Sequence, residues 1–354
     1  MKPFTYTSLP ARVIFGSGTL ASLGDEIKRL GCSRALILST PQQQGDAKAL
    51  AGRIGPLAAG LYANAAMHTP VAVTEEALRV MRDLNADVTV ALGGGSTTGL
   101  GKAIALRTDL PQIVIPTTYA GSEATPILGE TRDGLKTTQR SMKVLPEVIL
   151  YDVDLTLSLP AGLSATSGMN AIAHAVEALY AHDANPITSL MAEEAIRALA
   201  KALPAIVKNP RDSEARSEAL YGAWLCGICL GTVGMALHHK LCHTLGGTFD
   251  LPHAETHTVV LPHAAAYNAS AAPAAMKSLA RALNVDDPVR GLYDLERALG
   301  APASLKELGM PQAGLDKAAD LALANPYWNP RPLERSAIRA LLDDAWAGRP
   351  PSPR

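Results

Sequence analysis

Histidine is sparse in most of this chain and crowded in one part of it. Of nine histidines, only His68 lies outside the stretch from His174 to His263. His239 and His243 stand four apart, on one face of the helix that their surroundings predict. His253 follows Leu245-Gly246-Gly247, which reads as a helix end, and then Asp250-Leu251-Pro252. His174 sits on another predicted helix, four residues after Asn170. Imidazoles gathered this way suit a divalent-metal site or a set of proton donors around a substrate pocket. The residues alone leave both chemistries open.

A second constellation lies earlier. Gly93-Gly94-Gly95-Ser96 falls between the apolar run VTVAL and a predicted helix that carries Lys102. Glycines at the carboxyl end of a parallel strand let the backbone approach a phosphate, and the following helix offers free N–H groups and its positive end. The string is not GxGxxG, so the ordinary dinucleotide fingerprint is missing. Pro116-Thr117-Thr118-Tyr119-Ala120-Gly121-Ser122-Glu123 follows the next strand and brings paired hydroxyls to the same end. Cys226-Gly-Ile-Cys229 has metal-ligand spacing, but it lies in an apolar run with no second pair, so it reads as core.

The elements that must position these residues change character along the chain. Strands are expected at Arg12–Phe15, Arg34–Leu38, Val88–Leu92, Gln112–Ile115 and Val144–Tyr151. Helices are expected at 19–30, 44–54, 74–84 and 97–106. Such alternation implies a parallel sheet covered by helices on both faces. After Leu159-Pro160 the periodicity is helical: 164–182, 186–201, 212–230, 232–245, 272–283, 288–299 and 333–347. The boundary therefore divides an α/β domain, 1–159, from an all-helical domain, 160–354.

Composition narrows the classes. The chain has 354 residues, 47% of them hydrophobic, enough for a large core. Lys plus Arg number 32 against 33 Asp plus Glu, so no global charge draws it to nucleic acid or anionic lipid. The start, MKPFTYTSLPARVIF, lacks the apolar run of a signal peptide. The apolar stretch Gly222 to Leu237 is shorter than the roughly 20 residues needed to span a bilayer. Neither a membrane nor a nucleic-acid partner is expected, and the expected location is the cytoplasm.

Taken together, GGGS with Lys102 behind it, PTTYAGSE, GMNAIAHAVEA, HHKLCHTLGGTFDLPHAETH and NPYWNPRP resemble the iron-containing (group III) alcohol dehydrogenases, in order and over nearly the whole chain. Within that family the chain is similar to the branch that reduces maleylacetate. The resemblance implies a dehydroquinate synthase-like architecture: an N-terminal dinucleotide-binding α/β domain, an all-helical catalytic domain and an active site in the cleft between them. It places cofactor contacts at Gly94, Gly95, Ser96, Thr97, Thr98, Thr117 and Thr118. Lys136 matches a lysine near the ribose, and Thr40 and Pro41 border the adenosine. Catalysis falls to His243 and His253, with His239 and His174 in support.

Departures from the family pattern refine these expectations. The family's metal ligands, one Asp and three His, match Asn170, His174, His239 and His253, so an amide replaces the carboxylate. A neutral amide brings no charge to a cation. The resemblance to the maleylacetate branch accordingly implies that no metal is required. Gly99 stands where the family has Asp after GGGS, and Thr40 stands where many members carry a ribose-binding Asp. Without that carboxylate NADPH is tolerated beside NADH. The implied reaction turns maleylacetate, a small dicarboxylate, into 3-oxoadipate during breakdown of aromatic compounds. Lys240, Arg331 and Arg140 are candidate partners for its charges, and a homodimer is expected. The competing reading is an iron- or zinc-dependent dehydrogenase of a small alcohol or aldehyde.

Overall fold

The computed structural model describes residues 3–132 and 134–352, without the side chains of 135 and 136. The backbone divides into two compact units: Ser8–Leu159, and Pro160 onward together with the N-terminal segment up to Thr7.

The first unit is built on strands that read as continuous apolar runs, because helices cover both their faces. In chain order it runs β1 (Arg12–Gly16), α1 (Leu23–Arg29), β2 (Ala35–Leu38), α2 (Gln44–Ile54), β3 (Ala58–Tyr62), α3 (Val71–Asp83), β4 (Val88–Gly93), α4 (Gly95–Thr108), β5 (Gln112–Pro116), β6 (Ile127–Arg132), β7 (Leu135–Arg140) and β8 (Val148–Asp152). Six strands form a parallel sheet in the order β1-β8-β5-β4-β2-β3. Alternate residues serve opposite faces. Ile37, Val90, Leu92, Ile113 and Leu150 meet Leu23 and Ile27 of α1 and Leu50 and Ile54 of α2. Leu36, Leu38, Ala91 and Val114 meet Ala77 and Met81 of α3 and Leu100 and Ile104 of α4.

Three strands escape the sequence pattern. β3 is an edge strand, AAGLY, with no β-branched residue and only Tyr62 buried. β6 and β7 form an antiparallel hairpin of mostly polar residues, with Gly134 at φ 77.

The second unit contains α5 (Ala161–Tyr180), α6 (Pro186–Lys208), α7 (Ser213–Thr232), α8 (Leu237–Phe249), α9 (His253–Asn268), α10 (Pro273–Leu283), α11 (Pro288–Ala298), α12 (Leu315–Leu323) and α13 (Arg335–Ala347). The expected order, parallel α/β and then helices, holds. Every residue of α5 from Gly168 to Tyr180 is buried, as suits a helix apolar on all sides. Helices α6, α7 and α9 pack around it. α6 continues through Pro204 to Lys208, beyond its expected end. α8 runs past Gly246 and Gly247 and stops at Asp250, left-handed at φ 54, so the glycine pair is not the helix end. α9, carrying Pro262 inside it, has no counterpart among the expected helices, nor has α12.

Among the described residues no single helix is long and apolar enough to cross a membrane. The apolar stretch Gly222 to Leu237 is broken between α7 and α8, which meet at a bend of 96°. Leu237, Leu241 and Leu245 of α8 instead pack with residues of α9, α12 and α13.

Candidate active site

In the α/β unit, β2 leads outward to β3 and then back across to β4, so the order of strands reverses between β2 and β4. Ligands of open parallel sheets bind at the carboxyl ends of strands flanking such a reversal. Thr40 and Pro41 follow β2, Gly94 to Thr98 follow β4, and Thr117 and Thr118 follow β5. Gln43 ties two of these loops, donating from Nε2 to Thr117 Oγ1 at 3.1 Å. Thr117 N–H donates to Gly93 O at 3.1 Å.

Helix α4 starts at Gly95, and the N–H groups of Thr97 and Thr98 close on Gly94 O at 3.1 Å each. Helix geometry leaves the N–H groups of Gly95 and Ser96 outside that ladder, at the positive end of the helix. A Cβ on Gly93 would fall 2.6 Å from Thr97 Oγ1, and one on Gly94 2.9 Å from Thr118 Cγ2. The glycines therefore let the loops close on one another. Gly99 has a comparable cause: a side chain there would collide with Thr69, which fills the space. Lys136 is on β7, and its side chain lies outside the described residues.

Lys102 explains how the PTTYAGSE loop is held. Its Nζ donates to Ser122 O and Thr125 O at 2.6 Å, Thr125 Oγ1 at 2.9 Å and Ile127 O at 3.0 Å. Burial lowers its pKa to about 7, opposed by the nearby Glu123, which favours the ammonium. Glu123 in turn accepts from Tyr151 Oη at 2.8 Å.

In the helical unit the imidazoles form one cluster drawn from three helices. His174 is on α5, His238, His239 and His243 on α8, and His253 and His257 on α9. His174 Nδ1 lies 2.8 Å from His239 Nε2. The His243 ring stacks on His253 at 6.4 Å, with an angle of 18°. His257, which sequence reasoning missed, is at the hub: its ring centroid is 4.4 Å from His253, 4.9 Å from His238 and 5.1 Å from His239. Its position four residues after His253 was the available signal. His174 and His239 are buried, His253 is half-buried and His243 is exposed.

Behind the cluster His238 Nε2 pairs with His257 Nδ1 at 2.9 Å. Burial, with neighbouring imidazoles adding to it, holds both rings well below the usual histidine pKa and so neutral. Cys242, 3.7 Å from His238 Nε2, is pushed up by burial and stays a thiol. Cys226 and Cys229 are buried free thiols, also raised by burial, consistent with core.

Glu177 is a second residue that the sequence did not reveal. It is fully buried on α5 and lies 2.7 Å from His239 Nδ1. Asn329, within NPYWNPRP, exchanges hydrogen bonds with Asn268 at 2.7 and 3.1 Å, and its Oδ1 is 3.4 Å from Leu237 N at the start of α8. Of the candidate cations, Lys240 lies over the Tyr327 ring at 5.7 Å, and Arg331 over the Tyr267 ring at 4.4 Å. Arg140 is exposed on β7, in the other unit.

Comparison with known proteins agrees with both halves of this description. Residues 10–153 match the model of iron-containing alcohol dehydrogenase, and residues 164–346 match the C-terminal model of the Fe-containing alcohol dehydrogenase family. The chain belongs to the iron-containing alcohol dehydrogenase family. It is 62% identical to a maleylacetate reductase of Rhizobium sp. (strain MTP-10005), over 99% of this chain and 100% of the relative. Among solved structures, maleylacetate reductase from Agrobacterium tumefaciens is 60% identical, with TM-score 0.96 over 99% of this chain and 100% of that one. The iron-containing alcohol dehydrogenase from Corynebacterium glutamicum is 42% identical, with TM-score 0.95 over 100% of this chain and 99% of that one.

Membership of the iron-containing alcohol dehydrogenase family corrects one expectation. That no metal is required conflicts with membership of an iron-containing family. Replacement of a carboxylate by Asn170 lowers the charge of a site without removing its donors, so the substitution does not imply metal independence. The side chains present fit an ion of this kind. Asn170 Oδ1 is buried with no hydrogen-bond partner. His174, one helical turn along, converges on His239, and imidazole nitrogens suit iron and zinc alike. Asn170, His174, His239 and His253 are the residues that would hold it.

Proposed function

We propose that this chain reduces the carbon–carbon double bond of maleylacetate, giving 3-oxoadipate, with NADH as the hydride source. The observation that carries the reading is 62% identity, sustained over the whole chain, to a relative named for this reaction. The imidazole cluster supplies chemistry that suits it.

The double bond is conjugated to a ketone. Hydride arrives at the carbon β to that ketone, the ketone becomes an enolate, and a proton must reach the carbon between them. NADH, when bound, supplies the hydride. Iron, when bound, supplies a Lewis acid for oxygen that gains negative charge. The protein's own groups do the rest. Gly95 and Ser96 offer backbone N–H groups to a pyrophosphate, at the positive end of α4. Thr97, Thr98, Thr117 and Thr118 line that loop, and Thr40 and Pro41 border the adenosine. His174, His239 and His253 would hold the cation, which leaves His243 as the imidazole to deliver the proton. Its exposure lets it recover one from water. His253, stacked on it, keeps the ring in place.

Thr40 brings no negative charge to the adenosine, so NADPH is accepted beside NADH. The same reading includes a homodimer in the cytoplasm, serving the breakdown of aromatic compounds. Light scattering on the purified chain checks the dimer. The reaction itself is tested by NADH consumption with freshly prepared maleylacetate, with 3-oxoadipate identified as product. His243→Ala should lower kcat by about 10² or more, the scale of a lost general acid. An unchanged kcat would remove His243 from that role.

A further inference from the structure

We propose that Glu177 is a positioning residue that sets the tautomers of two active-site imidazoles through one directed hydrogen-bond chain. The argument starts from its surroundings, which consist of donors. Oε2 accepts from Ala236 N–H at 2.8 Å and from His239 N–H at 3.4 Å. Oε1 accepts from His238 N–H at 2.8 Å and from Tyr180 Oη at 3.4 Å. Backbone N–H groups cannot reverse their role, so both oxygens are engaged as acceptors. A carboxylate meets that demand; a protonated acid would turn a proton toward a donor.

His239 Nδ1, 2.7 Å from Oε2, must therefore carry the proton and donate it. In the neutral ring Nε2 then keeps its lone pair. His174 Nδ1 lies 2.8 Å from that nitrogen, so it must be the donor of the pair. His174 Nε2 keeps its lone pair in turn. One buried carboxylate thus dictates the proton positions on two rings, and both hold the tautomer that free histidine disfavours. An unprotonated Nε2 is what a cation requires of a neutral imidazole; that of His239 accepts from His174 here and becomes available to a cation when this hydrogen bond gives way, with Nδ1 still donating to the carboxylate behind.

The same carboxylate also fixes where His239 stands. Helix α8 begins after Ala236, which has no side chain to cap it. Glu177 reaches across from α5 to take its first N–H groups, and its charge lies at the positive end of the helix dipole. It also returns, one hydrogen bond from His239, the negative charge that Asn170 does not provide.

The test is ¹⁵N NMR of the full chain, labelled at histidine and treated with chelator at neutral pH. Both His239 and His174 are expected to carry hydrogen on Nδ1 and a lone pair on Nε2. A proton on His239 Nε2, with Nδ1 bare, would overturn the proposal. This readout does not depend on the identity of the substrate. A second measurement uses Glu177→Gln, which puts an NH₂ group among donors. Zn²⁺ affinity, by calorimetry, is expected to fall by about tenfold or more, the usual effect of losing such a partner. Glu177→Asp, which keeps the charge, should recover part of it. If Glu177→Gln folds and binds Zn²⁺ as tightly as the parent, the positioning role is wrong. If it does not fold, the NMR result on the parent chain still decides.

Discussion

Gly95→Val separates binding of a dinucleotide from stability of the fold more cleanly than any other change in the glycine loop. Gly95 is the first residue of α4, is exposed, and would place a Cβ no closer than 4.0 Å to another group, Ser122 Oγ. A Cβ there meets no group of the protein in close contact. Replacing glycine near a helix start also removes freedom from the unfolded chain, so the melting temperature should hold or rise slightly. The same change at Gly94 would not be clean, because its Cβ would meet Thr118 Cγ2 at 2.9 Å. Valine at 95 projects its methyls in front of the N–H groups of Gly95 and Ser96. A hydrogen bond to a charged group is worth roughly 1.5–3 kcal/mol. Weakening one of them by about 1.4 kcal/mol raises Kd tenfold. NADH titration followed by fluorescence, beside a thermal melt, reads both quantities. A Kd within about twofold of the parent, at unchanged melting temperature, would refute the phosphate-loop assignment.

Three further outcomes follow from particular side chains. Thr40→Asp should depress kcat/KM with NADPH selectively, since a carboxylate would face the 2′-phosphate; an unmoved NADPH-to-NADH ratio would mean that Thr40 does not border the adenosine. Asn170→Asp, at a buried oxygen with no partner, should tighten Zn²⁺ binding by about tenfold or more, and should lower the melting temperature of the chelated chain because it buries an unpaired charge; equal affinities would place Asn170 outside the ligand set. Glu296 is buried on α11, and burial pushes its carboxyl up from 4.5 to about 8. The folded chain therefore holds a proton there that the unfolded chain has lost, so this residue's contribution to stability falls as pH rises from about 4.5 through 8. Glu296→Gln should flatten that part of the melting profile, and an unchanged slope would show that burial does not control the group.

The legible parts of this structure are those that repeat a local rule. β2, β4, β5 and β8 are largely apolar and buried along their whole length because both faces are covered, and α2 carries its buried residues at helical spacing. β3 and the β6–β7 hairpin do not show this, since an edge and a half-solvated hairpin have no continuous apolar face to display. α9 has no counterpart among the expected helices because Pro262, a helix breaker by type, stands inside it, yet the helix continues through that residue. The site divides in the same way. Gly93 to Ser96 and the pair His239 and His243 announce themselves by type and spacing. Glu177 does not, because its role exists only where the start of α8 meets α5. His238 and Cys242 likewise gain meaning only from the approach of His257 on α9.

The most direct measurement follows deuterium from NADH labelled at the transferable position into the product formed from maleylacetate. The account predicts consumption of NADH with 3-oxoadipate as product, and with the deuterium on the former alkene carbon β to the ketone. Deuterium on the carbinol carbon of a hydroxy acid, or NADH consumption with simple aldehydes but not with maleylacetate, would contradict it and assign the chain to carbonyl reduction instead.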